Sequence, residues 1–199
     1  MKKLLFVVAF AAIGFTSVNA QEVKFGAKAG VNFASVTGDI ENADGKVGFH
    51  IGGVAEIVIS DKFSVQPELL YSAQGWKEEY SEEFFGETYS YEFDAKLDYL
   101  TLPIMAKYYI AEGLSLEGGP QVAFLLSSKG ELSDEEGSEE GDIEGLSDID
   151  FGVNFGLGYK LESGLNFGAR YNLGLSNIID EGDSDVKNGV IQVSVGYMF

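Results

Sequence analysis

Cysteine is absent from this 199-residue chain, histidine and tryptophan occur once each, and proline occurs three times. Without cysteine no disulfide can hold the fold, so backbone pairing and side-chain burial must do so. One histidine and no thiolate exclude the usual ligand sets of a transition-metal site. Basic residues number 13 against 32 acidic ones, a net charge of −19. This acidity argues against nucleic acid as a partner, because phosphates would be repelled.

Long apolar runs are also lacking beyond the N-terminus. Met1–Ala20 has two lysines, the apolar run Leu4–Phe15 and a small-residue end, which together predict a cleaved signal peptide. Residues 21–199 would then form one exported domain with 11 basic and 32 acidic residues, a formal charge of −21. No later segment approaches the roughly 20 apolar residues of a membrane-spanning helix, so the chain could cross a membrane only with strands.

The feature that the chain has in abundance is alternation of apolar with polar or glycine residues. This period of two predicts eight strands, at Val23–Phe33, Val47–Ile59, Phe63–Gly75, Leu97–Ile110, Leu114–Leu126, Ile149–Tyr159, Leu165–Ser176 and Gly189–Phe199. The apolar face is rich in aromatics near both strand ends, and each strand is long enough to cross a bilayer when tilted. The pattern predicts an all-β, eight-stranded antiparallel transmembrane β-barrel with a polar interior.

The links between these strands alternate in length. They are short at residues 60–62, 111–113 and 161–164, and long at 34–46, 76–96, 127–147 and 177–188. This alternation is typical of short periplasmic turns and long extracellular loops, here acidic ones. Pro67, Pro103 and Pro120 fall inside predicted strands and cannot donate to a ladder, so we expect bulges or locally frayed pairing beside them.

Five segments carry a resemblance to a known family: QPELLYSAQG (66–75), DYLTLPIMAKYY (98–109), EGGPQVAFLL (117–126), NFGLGYKL (154–161) and GARYNLGLSNI (168–178). They resemble the outer-membrane β-barrel domain family, which includes PorT-like and small OmpX-like barrels. The resemblance covers the whole exported chain and implies an eight-stranded barrel in the outer membrane of a Gram-negative cell. Some relatives are tied to protein secretion or called porins, but no residue here carries either role across.

Seven charged residues are predicted to face the barrel interior. They are Lys24, Lys28, Glu56, Glu68, Lys107, Glu117 and Arg170. Because an eight-stranded barrel is about filled by its own side chains, these residues predict an ion network that fills and fixes the barrel. A proton or ion path is the alternative.

The remaining candidate sites are weaker. His50 could serve a barrel hydrolase as a base, but no second member of a triad can be identified, so a plain lumen or rim histidine is favoured. The acidic segment Glu131–Asp150 is typical of a solvated loop, with calcium binding as an alternative that fits no EF-hand spacing. Trp76 has the wrong parity for a lipid-facing residue and receives no role.

The C-terminal Tyr197 and Phe199 resemble the signal read by barrel-assembly machinery. Outer-membrane lipid and lipopolysaccharide are the other expected partners, with divalent cations as bridges at the acidic loops. We therefore expect a monomeric surface barrel with an anchoring, structural or surface-interaction role and neither catalytic activity, cofactor nor metal. The alternatives are a narrow porin-like channel, a secretion-system component, and a soluble exported lipocalin-like binding barrel.

Overall fold

The computed structural model describes residues 22–40, 43–84, 87–134, 137–180 and 185–199. The predicted signal peptide lies outside these residues. Within these ranges the chain forms nine strands: β1 Glu22–Gly38, β2 Asp44–Ser60, β3 Phe63–Phe84, β4 Glu87–Tyr109, β5 Leu114–Ser133, β6 Ser138–Asp142, β7 Ile149–Lys160, β8 Leu165–Gly174 and β9 Val186–Met198. Within the described ranges, no helix is long and apolar enough to cross a membrane.

Eight of the strands close into a ring. Each strand pairs antiparallel with its neighbours in the order β1, β2, β3, β4, β5, β7, β8, β9, and β9 pairs back with β1. The ninth strand, β6, stands outside the ring and pairs with the outer part of β5. The structure thus confirms the predicted eight-stranded antiparallel barrel, and closure leaves no unpaired edge within the ring.

The two faces of the ring differ as the alternation predicts. Outward aromatic and aliphatic side chains such as Phe25, Phe155 and Val193 are about half exposed, whereas inward Ser64 and Asn154 are fully buried. A soluble barrel would place its apolar face inside. The lipocalin-like alternative required that arrangement. In the described residues of the ring, apolar side chains lie outside and polar side chains lie inside.

The prolines interrupt the ladders without shifting them. The pairing of β2 with β3 is broken beside Pro67, and that of β4 with β5 is broken between Pro103 and Ala106, yet the register is the same on both sides of each break. Local fraying is therefore the outcome at these residues. The register shifts lie elsewhere, between Gly45 and His50 and between Val58 and Ser60 of β2, and at Asp98 and Tyr99 of β4.

Three of the four predicted long loops are largely strand, beginning with the 34–46 link, into which β1 and β2 extend. β3 and β4 continue across most of the 76–96 link as one long hairpin, and β5 and β6 occupy much of the 127–147 link. The 22 and 23 residues of β3 and β4 are about twice the length that a tilted strand needs to cross a bilayer. The outer parts of β3, β4 and β5 together with β6 therefore form a second unit, here called the projecting sheet. The β4 part of this region keeps the alternation in its sequence, with Tyr91, Phe93 and Ala95 between Glu92, Asp94 and Lys96, so the signal for a strand was present there and was missed.

Val193 allows the orientation of the faces to be tested. Its side chain points outward from the middle of β9, between Val31 of β1 and Ala169 of β8. Val193→Arg should reduce the free energy of folding into phospholipid vesicles by about 2–4 kcal/mol, because the cation would enter hydrocarbon. Urea titration of folding measures this loss. Ser81→Arg, in the projecting sheet, is the matched control, and an equal effect of the two substitutions would contradict the assignment.

Candidate functional site

A cluster of ion pairs crosses the middle of the barrel lumen. Arg170 of β8 donates to both oxygens of Glu68 of β3 at 2.9 and 3.0 Å, and its Nη2 is 3.2 Å from a Glu117 oxygen of β5. Lys28 of β1 also binds Glu68 at 3.2 Å, and Lys107 of β4 binds Glu117 at 3.1 Å. Five strands are thereby joined through charge-assisted hydrogen bonds. We call these five residues the central cluster.

Glu56 belongs to a separate group nearer the short turns. Its carboxylate accepts hydrogen bonds from Lys160 at 2.6 Å, from Ser64 at 2.9 Å and from the Tyr109 hydroxyl. Lys160 was missed in the sequence, although it has the same parity as the inward Gly158 and directly follows Tyr159, where the predicted strand ended. Extending the alternation of β7 by one residue would therefore have predicted that Lys160 faces the interior.

Lys24 does not join either group. Its Nζ lies 3.3 Å from Glu22, and both side chains are open to solvent at the turn end of β1. The structure thus brings five of the seven predicted interior charges together, places Glu56 in a neighbouring group, and leaves Lys24 at the rim. Lys24 lies so close to the end of β1 that its side chain does not reach the barrel interior.

A neutral polar layer lies above the central cluster, on the side of the long links. The His50 Nδ1 is 2.8 Å from the Asn32 Oδ1, and the Asn32 amide donates to Ser72 at 3.0 Å. Gln192 also donates to Asn32, at 3.2 Å. His50 is buried, and its Nε2 has no hydrogen-bond partner among the described residues. The contacts of His50 are with amides rather than with a hydroxyl nucleophile and a carboxylate, so they do not form a catalytic triad.

An apolar cluster closes the lumen at the same end. Its buried members are Val36, Trp76, Ala95, Leu97, Tyr99, Ala123, Ile178 and Val186. Ile143 and Leu146 of the 127–147 link and Ile179 of the last link pack against it. We call this cluster the apolar cap. The inward parity of Trp76 excluded a lipid-facing role. Its ring lies in the apolar cap, and its Nε1–H donates to Glu78 at 2.6 Å.

The lumen between these layers leaves little free space. A cavity of about 20 Å³ lies at the turn end, beside Lys28 and Lys107. This volume is close to that of one water position. The described part of the chain contains no group of three or more histidine, aspartate or glutamate side chains placed to hold a metal ion.

The projecting sheet carries paired charges on its outward face. Lys96 of β4 binds Glu131 of β5 at 2.6 Å and Glu140 of β6 at 3.1 Å, and Lys129 binds Glu140 at 2.8 Å. These hydrogen bonds raise the pKa of Lys96 and lower the pKa of Glu131 and of Glu140. The pairs are therefore ionised at neutral pH, and their contribution is lost as the pH falls through the lowered carboxyl pKa values. At these positions the acidic segment is an ordered strand pair.

The C-terminal residues complete the turn end of the ring. The Phe199 N–H donates to the Phe25 carbonyl at 2.8 Å, and the Tyr197 and Phe199 rings lie 5.7 Å apart, edge to face. Both side chains point outward and are exposed. Their position is compatible with an end signal, and that role stays a prediction.

Comparison with known proteins identifies the architecture. The sequence pattern of one family, the outer membrane protein beta-barrel domain, matches residues 19–180, a range that contains β1 to β8. No curated protein matches the chain in sequence. The narrower resemblance to PorT-like and OmpX-like proteins stays a prediction.

Solved structures share the fold at low sequence identity. Ail, the attachment invasion locus protein of Yersinia pestis, is 18% identical, with 89% of this chain and 99% of Ail covered at a TM-score of 0.53. A structure of Ail in complex with the heparin analogue sucrose octasulfate gives 19% identity, the same coverage and a TM-score of 0.52. Neisserial surface protein A is 15% identical, with 89% and 99% covered at 0.56. At these identities the likeness shows the fold alone.

The central cluster can be tested by removing one carboxylate. Glu68→Gln should reduce the free energy of unfolding by about 3–5 kcal/mol, because Lys28 and Arg170 would both lose a buried partner. Urea unfolding of the purified protein in detergent micelles measures this change. Adding Lys28→Met to the Glu68→Gln variant removes one of the two stranded cations and should recover part of the loss.

Glu131→Gln is the matched control for this experiment, since it removes a carboxylate from a solvent-exposed pair of the projecting sheet. It should leave the unfolding transition unchanged. A Glu68→Gln variant as stable as this control would show that the central cluster does not fix the barrel.

Proposed function

The chain belongs to the outer membrane protein β-barrel domain family, and we propose that it is a non-catalytic barrel that displays an acidic sheet at the cell surface. The main support for this proposal is the contrast between the two ends of β3, β4 and β5. Inside the ring β3, β4 and β5 contribute to a filled lumen, whereas beyond the ring the same strands continue as the projecting sheet. A closed barrel is a rigid anchor. Strands that continue beyond it therefore hold the projecting sheet in a fixed position.

The filled lumen argues against a porin-like channel. A solute would have to pass the central cluster, the amide layer around Asn32 and the apolar cap with Trp76 and Tyr99. Each layer makes its own contacts across the lumen, so no single side-chain rotation opens a path.

The surface displayed by the sheet favours cationic partners or divalent ions. Glu139, Glu140 and Asp142 line β6, whose only strand partner among the described residues is β5. Like charges at this open edge oppose pairing between two copies, which supports a monomer. Calcium or magnesium held at such acids would bridge the sheet to anionic lipopolysaccharide. The sulfated ligand bound by Ail has the wrong sign of charge for this sheet.

The remaining features of the proposal concern delivery to the membrane. Residues 1–20 act as an export signal and are removed, and Tyr197 and Phe199 present the C-terminal strand to the barrel-assembly machinery. The exposed outward aromatics then meet outer-membrane lipid, with the short turns in the periplasm and the projecting sheet outside.

Planar bilayer recording tests the closed lumen. The purified protein should give no steady conductance, because the three layers exclude a continuous water path. A variant in which residues 80–91 and 132–139 are excised should be equally silent, since Trp76, Ala95 and Ile143 of the apolar cap remain. Reproducible large channels from the unaltered protein would reject the anchor proposal in favour of a channel, and its acidic outer surface would then predict cation preference.

Two excisions test the display role. Residues 80–91 can be replaced by Asn-Gly, because Glu79 and Glu92 are paired neighbours, and residues 132–139 likewise between Glu131 and Glu140. The shortened protein should still assemble, as judged by heat-modifiable migration on gels, because the ring is untouched. Binding of polylysine and calcium to cells carrying it should fall.

A matched variant separates charge from shape. Glu139→Gln with Asp142→Asn removes two exposed carboxylates of β6 and retains the Glu140 pairs with Lys96 and Lys129, so it keeps the sheet; it should weaken polylysine binding while leaving the gel shift unchanged. Loss of assembly in the excision variant, or unchanged binding, would contradict the proposal. Cross-linking of the native protein completes the test, since a stoichiometric export partner would favour the secretion alternative and loss of a hydrolytic activity in His50→Ala would favour an enzyme.

A further inference from the structure

The turn-end half of the lumen carries a surplus of positive charge, in a chain whose overall charge is −19. Four cations line it, namely Lys28, Lys107, Lys160 and Arg170, and they share three carboxylates, those of Glu56, Glu68 and Glu117. Arg170 binds two of these carboxylates, and among the residues that the structure describes no fourth acid joins the set. Buried charge of one sign is costly unless it finds a partner.

The acidic groups at the rim do not supply that partner. Glu22 pairs with Lys24 at the edge of the barrel, and Asp61, Glu112 and Glu162 are exposed on the short turns, where Lys62 also lies. Exposed charges are screened by water and salt and compensate buried cations poorly. Lys160 is about one-fifth exposed, but the side chains of Lys28, Lys107 and Arg170 are buried, so an anion within the lumen would balance the charge that water reaches least.

A cavity of about 20 Å³ lies among the surplus cations. Its polar lining comprises Lys28, Lys107, Lys160, Ser194, Ser115, Asn166, Gln66 and the Glu117 carboxylate. Glu117 is already paired with Lys107 and Arg170, and the Ser115 hydroxyl donates to Glu117, so the three ammonium groups and the Ser194 hydroxyl are the main donors toward this space. The side chains of Lys28 and Lys107 are more than nine-tenths buried.

The ammonium groups retain donors for a further acceptor. An ammonium group has three N–H donors. Lys28 donates to Glu68, Lys160 donates to Glu56, and Lys107 donates to Gln66 and Glu117. Among the described residues each of these lysines can thus direct a remaining N–H into the cavity.

We propose that this cavity is a binding site for one small monovalent anion of the chloride class. The charge of such an ion equals the surplus of one, and its size suits a space close to that of one water position. Sulfate and phosphate carry more negative charge than the surplus of one, and a neutral water molecule would leave the surplus uncompensated. The anion would join β1, β4 and β7 through their lysines and stabilise the turn end of the barrel.

Replacement of anions at constant ionic strength tests this site. The purified protein in a neutral detergent should unfold at a higher temperature in sodium chloride or bromide than in sodium gluconate, and the rise should saturate. At an anion concentration of 100 times Kd, the folding equilibrium constant should be about 100-fold higher. Crystals grown in bromide should show one anomalous scatterer between Lys107 and Lys160.

Three variants identify the source of the effect. Lys160→Met removes the surplus charge and should abolish the saturable dependence on chloride, whereas Lys160→Arg should retain it. Lys129→Met removes a cation from the projecting sheet and should behave as the unaltered protein. If Lys160→Met fails to fold, chloride-35 line broadening of the unaltered protein, displaced by bromide, provides the decisive measurement. Equal stability in chloride and gluconate, with no bromide site, would mean that the cavity holds water and would overturn the proposal.

Discussion

Closure of the strand ring is the constraint on which the rest of the structure depends. In lipid a backbone N–H or C=O has no water to bind, so each strand must find partners on both sides. The antiparallel pairing of β9 with β1 supplies the last of these partners and removes the edges of the sheet. Once the ring is closed, side chains of alternate residues have only two destinations, the outer surface or a narrow lumen.

The lumen then imposes its own condition. Polar groups confined there must satisfy one another, and the structure does this in layers, with Glu56 and Lys160 lowest, Arg170 between two carboxylates above them, and Asn32 and His50 higher still. The apolar cap ends the series where the strands leave the ring. The turn-end half of the lumen is thereby positive, whereas Glu78 and Asp150 are buried toward its other end and the exterior is acidic. Arg170 stays buried because Glu68 and Glu117 both accept its hydrogen bonds.

The barrel could be predicted from the sequence because its alternation has a strict period of two over eight segments. The same alternation predicted that Glu68, Lys107, Glu117 and Arg170 face inward. Their distances in sequence from the short turns predicted their approximate positions along the barrel axis. The ion pairs themselves depend on the stagger between strands, which alternation does not contain. Strand order alone therefore could not separate Glu56 from the central cluster or place Lys24 at the rim.

The regions beyond the ring were harder to predict for a physical reason. The projecting sheet is stabilised by cross-strand pairs such as Lys96 with Glu131. The outer part of β3 carries acidic residues on both faces, for example Glu78 and Glu79, and therefore resembles a loop, which concealed the alternation that its partner β4 retains. The apolar cap is assembled from isolated residues such as Trp76, Ile143 and Ile178, which are distant in sequence and become neighbours only when three links fold over one opening.

Labelling of single cysteines in intact cells tests the central claim most directly, since the native chain has no cysteine. A membrane-impermeant maleimide should modify Ser81→Cys at once, modify Lys62→Cys only after the outer membrane is permeabilised, and leave Ser72→Cys unmodified in the lumen. Rapid labelling of Ser72→Cys, or labelling of Lys62→Cys but not Ser81→Cys in intact cells, would contradict a closed barrel that displays the projecting sheet outside.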